Sequence, residues 1–190
     1  MSNREEVLKL KQELGSVTEN VRHEFGGLNK EQLNWKPSAE RWSVAQCLDH
    51  LITGNRSYFP LLESIVNERR KTVMIERLPV LPKLWGRLLI KSLDPKSTRK
   101  LKAPASFQPA ASDLPATIVD QFAKQQDEFA SWMDQTKDLQ LERLIITSPA
   151  MKLITYSLMD GYRFLVLHEQ RHFQQAQRVV AESGFRSAEV

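Results

Sequence analysis

Apolar residues recur at spacings of three and four along four stretches of the chain, a pattern typical of amphipathic helices that face a core. The first stretch predicts an uninterrupted helix from Asn3 to about Phe25, closed by Gly26-Gly27. Its apolar stripe consists of Val7, Leu10, Leu14, Val17, Val21 and Phe25.

A second stripe begins after Ser43, which stands where a helix N-cap belongs, and continues to about Ile65. Pro60 lies inside it and cannot donate a hydrogen bond to the carbonyl of Arg56. We therefore predict a kink or a break between Arg56 and Pro60. The stripe comprises Val44, Cys47, Leu48, Leu51, Asn55, Tyr58, Leu62 and Ile65.

Two further stripes occupy the second half of the chain. The third predicted helix runs from a cap at Ser112 or Asp113 to about Asp138, and the fourth from about Thr155 to Ser183-Gly184. The connection between them is predicted as a linker, because its apolar alternations are too short to give a convincing β-hairpin signal.

Residues 72–112 form an irregular, proline-rich segment with one short helical candidate, Lys83 to Leu93. We expect this segment to cover one end or side of the core. Four long helices without predicted strands indicate an all-α four-helix bundle, a single domain over residues 1–190, with long connections that leave its topology open.

The composition excludes several classes of protein. A charged fraction of 26% and a hydrophobic fraction of 41% are those of a globular protein. The net charge of +4 is spread along the chain, so we expect no nucleic-acid partner. No apolar run approaches the length of a bilayer span, so we expect no membrane partner. A cytoplasmic protein is expected, because the N-terminus lacks an apolar signal region and the lone Cys47 cannot form an intrachain disulfide.

Histidines are the strongest candidates for chemistry. His168 and His172 are four residues apart on the last predicted helix, so they lie on neighbouring turns and can hold one metal ion. His50 lies on the flank of the second stripe, and three histidines leave a coordination position open for water or substrate. The alternative is a pair of half-buried histidines with ordinary hydrogen bonds. His23 is expected on the solvent face of the first helix, and Gly161 is expected to leave space beside His168.

The string His168-Glu169-Gln170-Arg171-His172 also matches the His-Glu-x-x-His motif of zinc metalloproteases. The residues that follow lack the glycine and histidine of the metzincins, and only Glu182 and Glu189 are available as a later glutamate ligand. The metalloprotease is therefore an alternative to a site with His50.

Other residues near these histidines have two interpretations each. Glu169 either orients a metal ligand by a hydrogen bond or is a charge buried beside Arg163 or Arg171. Asp49, next to His50, is a second candidate for orienting a ligand. Cys47 is either a ligand or nucleophile or a small buried apolar residue. The four tryptophans, Trp42 among them, are interpreted as packing residues.

Two segments resemble a known family. The segment from Pro37 through Trp42-Ser43 to His50 is similar to the signature of DinB/YfiT-like proteins, in which Trp-Ser precedes a metal-binding histidine. Ser148-Pro149 to Thr155, followed by His168-x-x-x-His172-x-x-Gln175, resembles the approach to the family's last helix and its ligand pair. The resemblance covers most of the chain, with residues 72–112 the least typical.

The resemblance implies a four-helix bundle with crossover connections and a divalent transition metal, commonly nickel or zinc, held by His50, His168 and His172. It also implies homodimers and a small-molecule substrate. The implied function is a thiol-dependent transferase that uses a low-molecular-weight thiol, such as bacillithiol or mycothiol, on an electrophilic substrate. A metal-dependent hydrolase of the YfiT type and a non-enzymatic metal-binding bundle are the alternatives.

Overall fold

The computed structural model describes residues 2–77, 81–92, 108–109 and 113–185. Its α-helices are α1 (Asn3–Phe25), α2 (Lys30–Asn34), α3 (Val44–Arg56), α4 (Phe59–Val66), α5 (Leu81–Ser92), α6 (Ile118–Thr136) and α7 (Leu158–Val180). A short 3-10 helix occupies Met74–Arg77, and the strands are β1 (Ile145–Thr147) and β2 (Thr155–Ser157).

The four long helices α1, α3, α6 and α7 form a bundle. Helix α1 packs against α6 and α7, and α3 packs against the same two helices. Helices α1 and α3 therefore occupy opposite corners, as do α6 and α7, and the connections from α1 to α3 and from α6 to α7 cross the bundle. The predicted all-α four-helix bundle with crossover connections is confirmed.

Side-chain caps place the first two long helices where the sequence predicted them. Ser2 Oγ accepts a hydrogen bond from the backbone N–H of Glu5, whose carboxylate accepts the N–H of Ser2, and Ser43 and Gln46 repeat this pairing at the start of α3. The predicted break is confirmed between α3 and α4. Pro60 lies in the first turn of α4, where its missing N–H has no intrahelical partner to lose.

The start of α6 differs from the prediction. The helix begins at Ile118, and Asp113 instead has a left-handed φ of 66° and an ion pair with Lys30 at 2.7 Å. Asp113 thus ties the chain to the start of α2, a five-residue helix in what was predicted as a polar linker.

The prediction that no hairpin precedes the last helix was wrong. Strands β1 and β2 pair antiparallel, with buried Ile146 opposite buried Tyr156. Helix α7 consequently begins at Leu158, three residues later than predicted, and it ends at Val180. Ser157 both ends β2 and caps α7, because its Oγ accepts the N–H of Asp160 at 3.0 Å.

The predicted short helix in the middle segment is confirmed as α5, which packs against α7 and β2. Within the predicted cover, the 3-10 helix is also described, whereas residues 78–80, 93–107 and 110–112 lie outside the described residues. None of the helices in the described ranges combines the length and apolar composition that crossing a membrane requires.

A buried polar layer separates two apolar clusters of the core. One cluster contains Phe122 and Phe173, and the other contains Phe129 and Leu165. The layer between them is made of four buried side chains from α3, α6 and α7. They are Asn55, Gln125, Gln126 and Glu169.

Candidate metal site

Three histidines converge between α3 and α7. The ring centroids of His50 and His168 are 4.9 Å apart, those of His50 and His172 are 4.6 Å apart, and those of His168 and His172 are 4.5 Å apart. One nitrogen from each ring lies within 4.8 Å of the other two. The structure thus brings together the three histidines that the sequence indicated, and we refer to them as the histidine triad.

The nitrogen positions of the triad fit a divalent metal ion. His50 Nε2 and His168 Nε2 are 3.0 Å apart. Two nitrogens bound tetrahedrally to one zinc ion at ~2.0–2.1 Å lie roughly 3.3 Å from each other. The Nδ1 atoms of His168 and His172 are buried without a hydrogen-bond partner among the described residues. The Nε2 atoms of His50 and His168, which face each other, need a cation or a shared proton between them, and imidazole is a common ligand of transition metals.

The surroundings keep the imidazoles of His168 and His172 in the form that binds metals. Loss of hydration lowers the pKa of His168 to about 3, and the charges of His50 and Arg171 act in the same direction. Burial likewise holds the pKa of His172 well below its usual value, with His168 and His50 adding to the effect. Both rings are therefore neutral at physiological pH.

Two aromatic rings form walls beside the triad. Trp42 stacks on His172 with centroids 5.5 Å apart and planes 17° apart, and its centroid is 5.0 Å from that of His50. Phe164 stacks on His168 with centroids 5.7 Å apart and planes 9° apart. Sequence reasoning treated Trp42 as packing and missed Phe164. The available signals were the position of Trp42 just before the cap of α3, and that of Phe164 one turn before His168.

A comparison with known sequences places the site in a family. The sequence profile of the DinB superfamily matches residues 13–176, a range that includes the whole triad. The chain belongs to the DinB superfamily. The resemblance seen in the Trp42-Ser43 and His168-x-x-x-His172 motifs is therefore confirmed. The chain is also similar to a Bacillus subtilis (strain 168) protein called "Uncharacterized protein YuaE", with 25% identity over 158 residues, 83% of this chain and 88% of that relative. No solved structure matches.

In this DinB-superfamily chain, Glu169 contacts amides. Its Oε1 accepts hydrogen bonds from Asn55 Nδ2 at 2.6 Å and Gln126 Nε2 at 2.9 Å, and Gln125 Oε1 accepts from the same two amides. Burial raises the pKa of Glu169 to about 8, against the opposing effect of the two hydrogen bonds. Arg163, one of its two predicted charge partners, pairs instead with three acidic side chains.

This arrangement bears on the alternatives to a three-histidine DinB site. The glutamate of a His-Glu-x-x-His protease must reach the water on the metal, whereas the hydrogen bonds of Glu169 go to the polar layer of the core. Cys47 is buried, and burial raises the pKa of its thiol to about 12. Within the described ranges, neither a cysteine nor a carboxylate joins the triad.

Two smaller predictions have opposite outcomes. His23 lies exposed on α1, as predicted. Gly161 does not leave space beside His168, because a side chain added there would meet the ring of Tyr156 at 3.2 Å. The hairpin that sequence reasoning missed supplies this ring, so the two errors have one cause.

Proposed function

We propose that the histidine triad binds one divalent transition metal ion, nickel or zinc, and that the protein uses it to activate a low-molecular-weight thiol for transfer to a small electrophilic molecule. The observation that carries the proposal is the convergence of three imidazoles, each with one nitrogen within 4.8 Å of the other two and with His50 Nε2 facing His168 Nε2 at 3.0 Å. A divalent ion with an open coordination position lowers the pKa of a thiol or water that it binds.

The side chains of the site support this chemistry in three ways. The triad would hold the ion with neutral nitrogens, so its positive charge is not reduced by a protein anion. Trp42 and Phe164 stack on His172 and His168, which fixes the ring planes and limits the approach of water. Exclusion of water strengthens the electrostatic effect of the ion on its ligand.

The chemistry of the two possible ligands and the position of Glu169 favour thiol activation over hydrolysis. A free thiol has a pKa of about 8.5 and water one of about 15.7, so a thiol needs far less assistance to ionise. Hydrolysis usually draws on a positioned base as well. Glu169, the buried carboxylate next to His168, is hydrogen-bonded by two amides of the polar layer.

Metal analysis tests the first part of the proposal. Wild type, His168→Ala and His23→Ala are purified without a histidine tag, and their metal content is measured with circular dichroism as a check of folding. The exposed His23 is a matched control for the loss of an imidazole. We expect about one equivalent of metal in wild type and His23→Ala and none in a folded His168→Ala. A wild type that takes up neither nickel, zinc nor manganese on reconstitution contradicts the proposal.

Thiol consumption tests the second part. Wild type and His168→Ala are incubated with a low-molecular-weight thiol and a panel of small electrophiles, and free thiol is measured over time. We expect consumption that needs both the metal and His168. Ester or amide hydrolysis that needs the metal but no thiol would favour the hydrolase instead.

A further inference from the structure

Helix α3 contains a buried glycine, Gly54, for which neither its backbone nor its described neighbours give a reason. A glycine inside a helix is less favourable than an alanine because it loses more conformational freedom on folding. No described glycine has a positive φ, so the backbone does not require one here. A Cβ atom added at Gly54 would have no described atom within 4 Å beyond its own helix backbone and chain neighbours.

Other glycines in the chain show the contrast. A Cβ atom at Gly161, Gly86 or Gly184 would meet a side chain at 3.2, 2.5 or 3.1 Å, so close packing explains each of them. Gly15 has open space too, but it lies on the exposed surface of α1. Gly54 combines burial with open space, which indicates an internal gap.

This gap adjoins the histidine triad. Gly54 follows His50 by four residues, so the two lie on the same face of α3. The helices α3 and α7 run antiparallel, because His50 meets His172 while Asn55, further along α3, meets Glu169. Going from His50 to Gly54 therefore leads from His172 towards the N-terminal part of α7, where Phe164 stacks on His168.

The opposite side of the triad is occupied by a different ring. Trp42 lies against His172 and His50. His50 and His172 are buried, whereas His168 and Phe164 are half-buried. The more exposed side of the triad is therefore that of His168 and Phe164, towards which α3 runs from His50 to Gly54.

We infer that the space beside Gly54 is the pocket for the apolar part of the small molecule that binds at the triad, with Phe164 as its wall. The inference rests on the proposed function and names the class of ligand: a thiol with an aromatic or short aliphatic group. Gly54 is then a specificity-determining residue, because any side chain there takes volume from the ligand.

Substitutions at Gly54 test this pocket against a matched control. Alanine and leucine are both good helix formers, so Gly54→Ala and Gly54→Leu add volume without a penalty in helix propensity. Gly15→Ala and Gly15→Leu make the same changes at an open but exposed position of α1. Each variant is loaded with Co²⁺, and its visible spectrum is followed during titration with methanethiolate or benzyl mercaptan.

We expect Gly54→Leu to weaken the binding of benzyl mercaptan about tenfold or more, and that of methanethiolate less than about threefold. Gly54→Ala should have a smaller effect in the same direction, and both Gly15 variants should resemble wild type. Equal effects on the two thiols, or no effect at all, would overturn the inference.

A measurement without metal separates the pocket from the proposed function. Xenon occupies apolar cavities, so its effect on the amide NMR signals of metal-free protein reports the space directly. We expect xenon-dependent shifts around Gly54 and Phe164 in wild type and Gly15→Leu, and their loss in Gly54→Leu. If these shifts appear but the protein takes up no metal on reconstitution, the proposed function is contradicted and the pocket is still supported. Metal binding without these shifts would contradict the pocket alone.

Discussion

His168 and Glu169 are consecutive residues of α7, yet they belong to polar groups of opposite character. In the polar layer of Asn55, Gln125, Gln126 and Glu169, the amide N–H groups of two side chains meet oxygens of the other two, although each side chain also keeps one buried polar atom without a partner among the described residues. In the histidine triad, nitrogens face nitrogens. Complementary groups stabilise a fold by themselves, whereas like groups held together need a third species between them. The difference separates a polar cluster of the core from a candidate binding site.

The largest expected effect comes from removing the carboxylate of the polar layer. Glu169→Ala leaves the buried amides of Asn55 and Gln126 with only the longer hydrogen bonds to Gln125 Oε1 and creates a cavity, so we expect a loss of about 3–5 kcal/mol of unfolding free energy. Glu169→Gln keeps the shape and one acceptor oxygen and should lose less than half as much. Urea denaturation measures both variants. A Glu169→Ala protein as stable as wild type would show that the layer is not structural.

Metal removal tests the histidine triad, the second of the two polar groups. Because two apolar clusters form the core, we expect metal-free protein to remain folded and to unfold cooperatively. Metal at a hundredfold excess over its dissociation constant should add about 2.7 kcal/mol, through binding to the native state alone. Thermal unfolding with and without a chelator measures this. Loss of the helical circular dichroism signal on chelation would favour a structural ion and the non-enzymatic bundle.

Variants of Trp42 measure how much the aromatic wall contributes to metal affinity, compared with the nitrogen ligands. Its stacking on His172 should contribute about 1 kcal/mol to holding that ring, so Trp42→Leu is expected to weaken metal binding about fivefold. Trp42→Phe retains an aromatic ring, so its metal affinity should lie between those of wild type and Trp42→Leu. Competition with a coloured chelator gives the affinities. An effect as large as that of His168→Ala would mean that Trp42 does more than orient His172.

The smallest expected effect belongs to a half-buried ion pair between α1 and α6. Lys11 holds the pKa of Asp134 below its usual value of 3.8. The contribution of the pair to stability is therefore present at neutral pH and is lost as the pH falls through that lowered pKa. We expect Lys11→Met to lose at most about 1 kcal/mol at pH 7, and nothing once Asp134 is protonated. Urea denaturation across acidic pH measures the difference, and a constant difference would rule out Asp134 as its cause.

The triad was predictable because its signals are local. The spacing of His168 and His172 follows from helix geometry, and the Ser43 cap fixes the phase of His50 on α3. The same locality explains the accurate limits of α1, whose apolar stripe spans the whole helix.

The features that the sequence did not reveal depend on contacts between distant segments. Strands of three residues, such as β1 and β2, are too short to give a recognisable alternation. The partners of Glu169 come from α3 and α6, and only the crossover arrangement of the bundle brings those helices to it. Phe164 lies one turn before His168, but this spacing does not by itself show that the two rings stack.

The double role of Ser157 fixes the rotational position of the two histidines on α7. Because this residue ends β2 and caps α7, the hairpin sets the rotational phase from which every later side chain of α7 is counted. One residue inserted between Ser157 and His168 would turn both histidines about 100° away from His50. An insertion of seven residues would return them to within about 20° of their original direction, displaced by roughly 10 Å along the axis. The direction of the two histidines towards α3 is thus set at Ser157, about three helical turns before them.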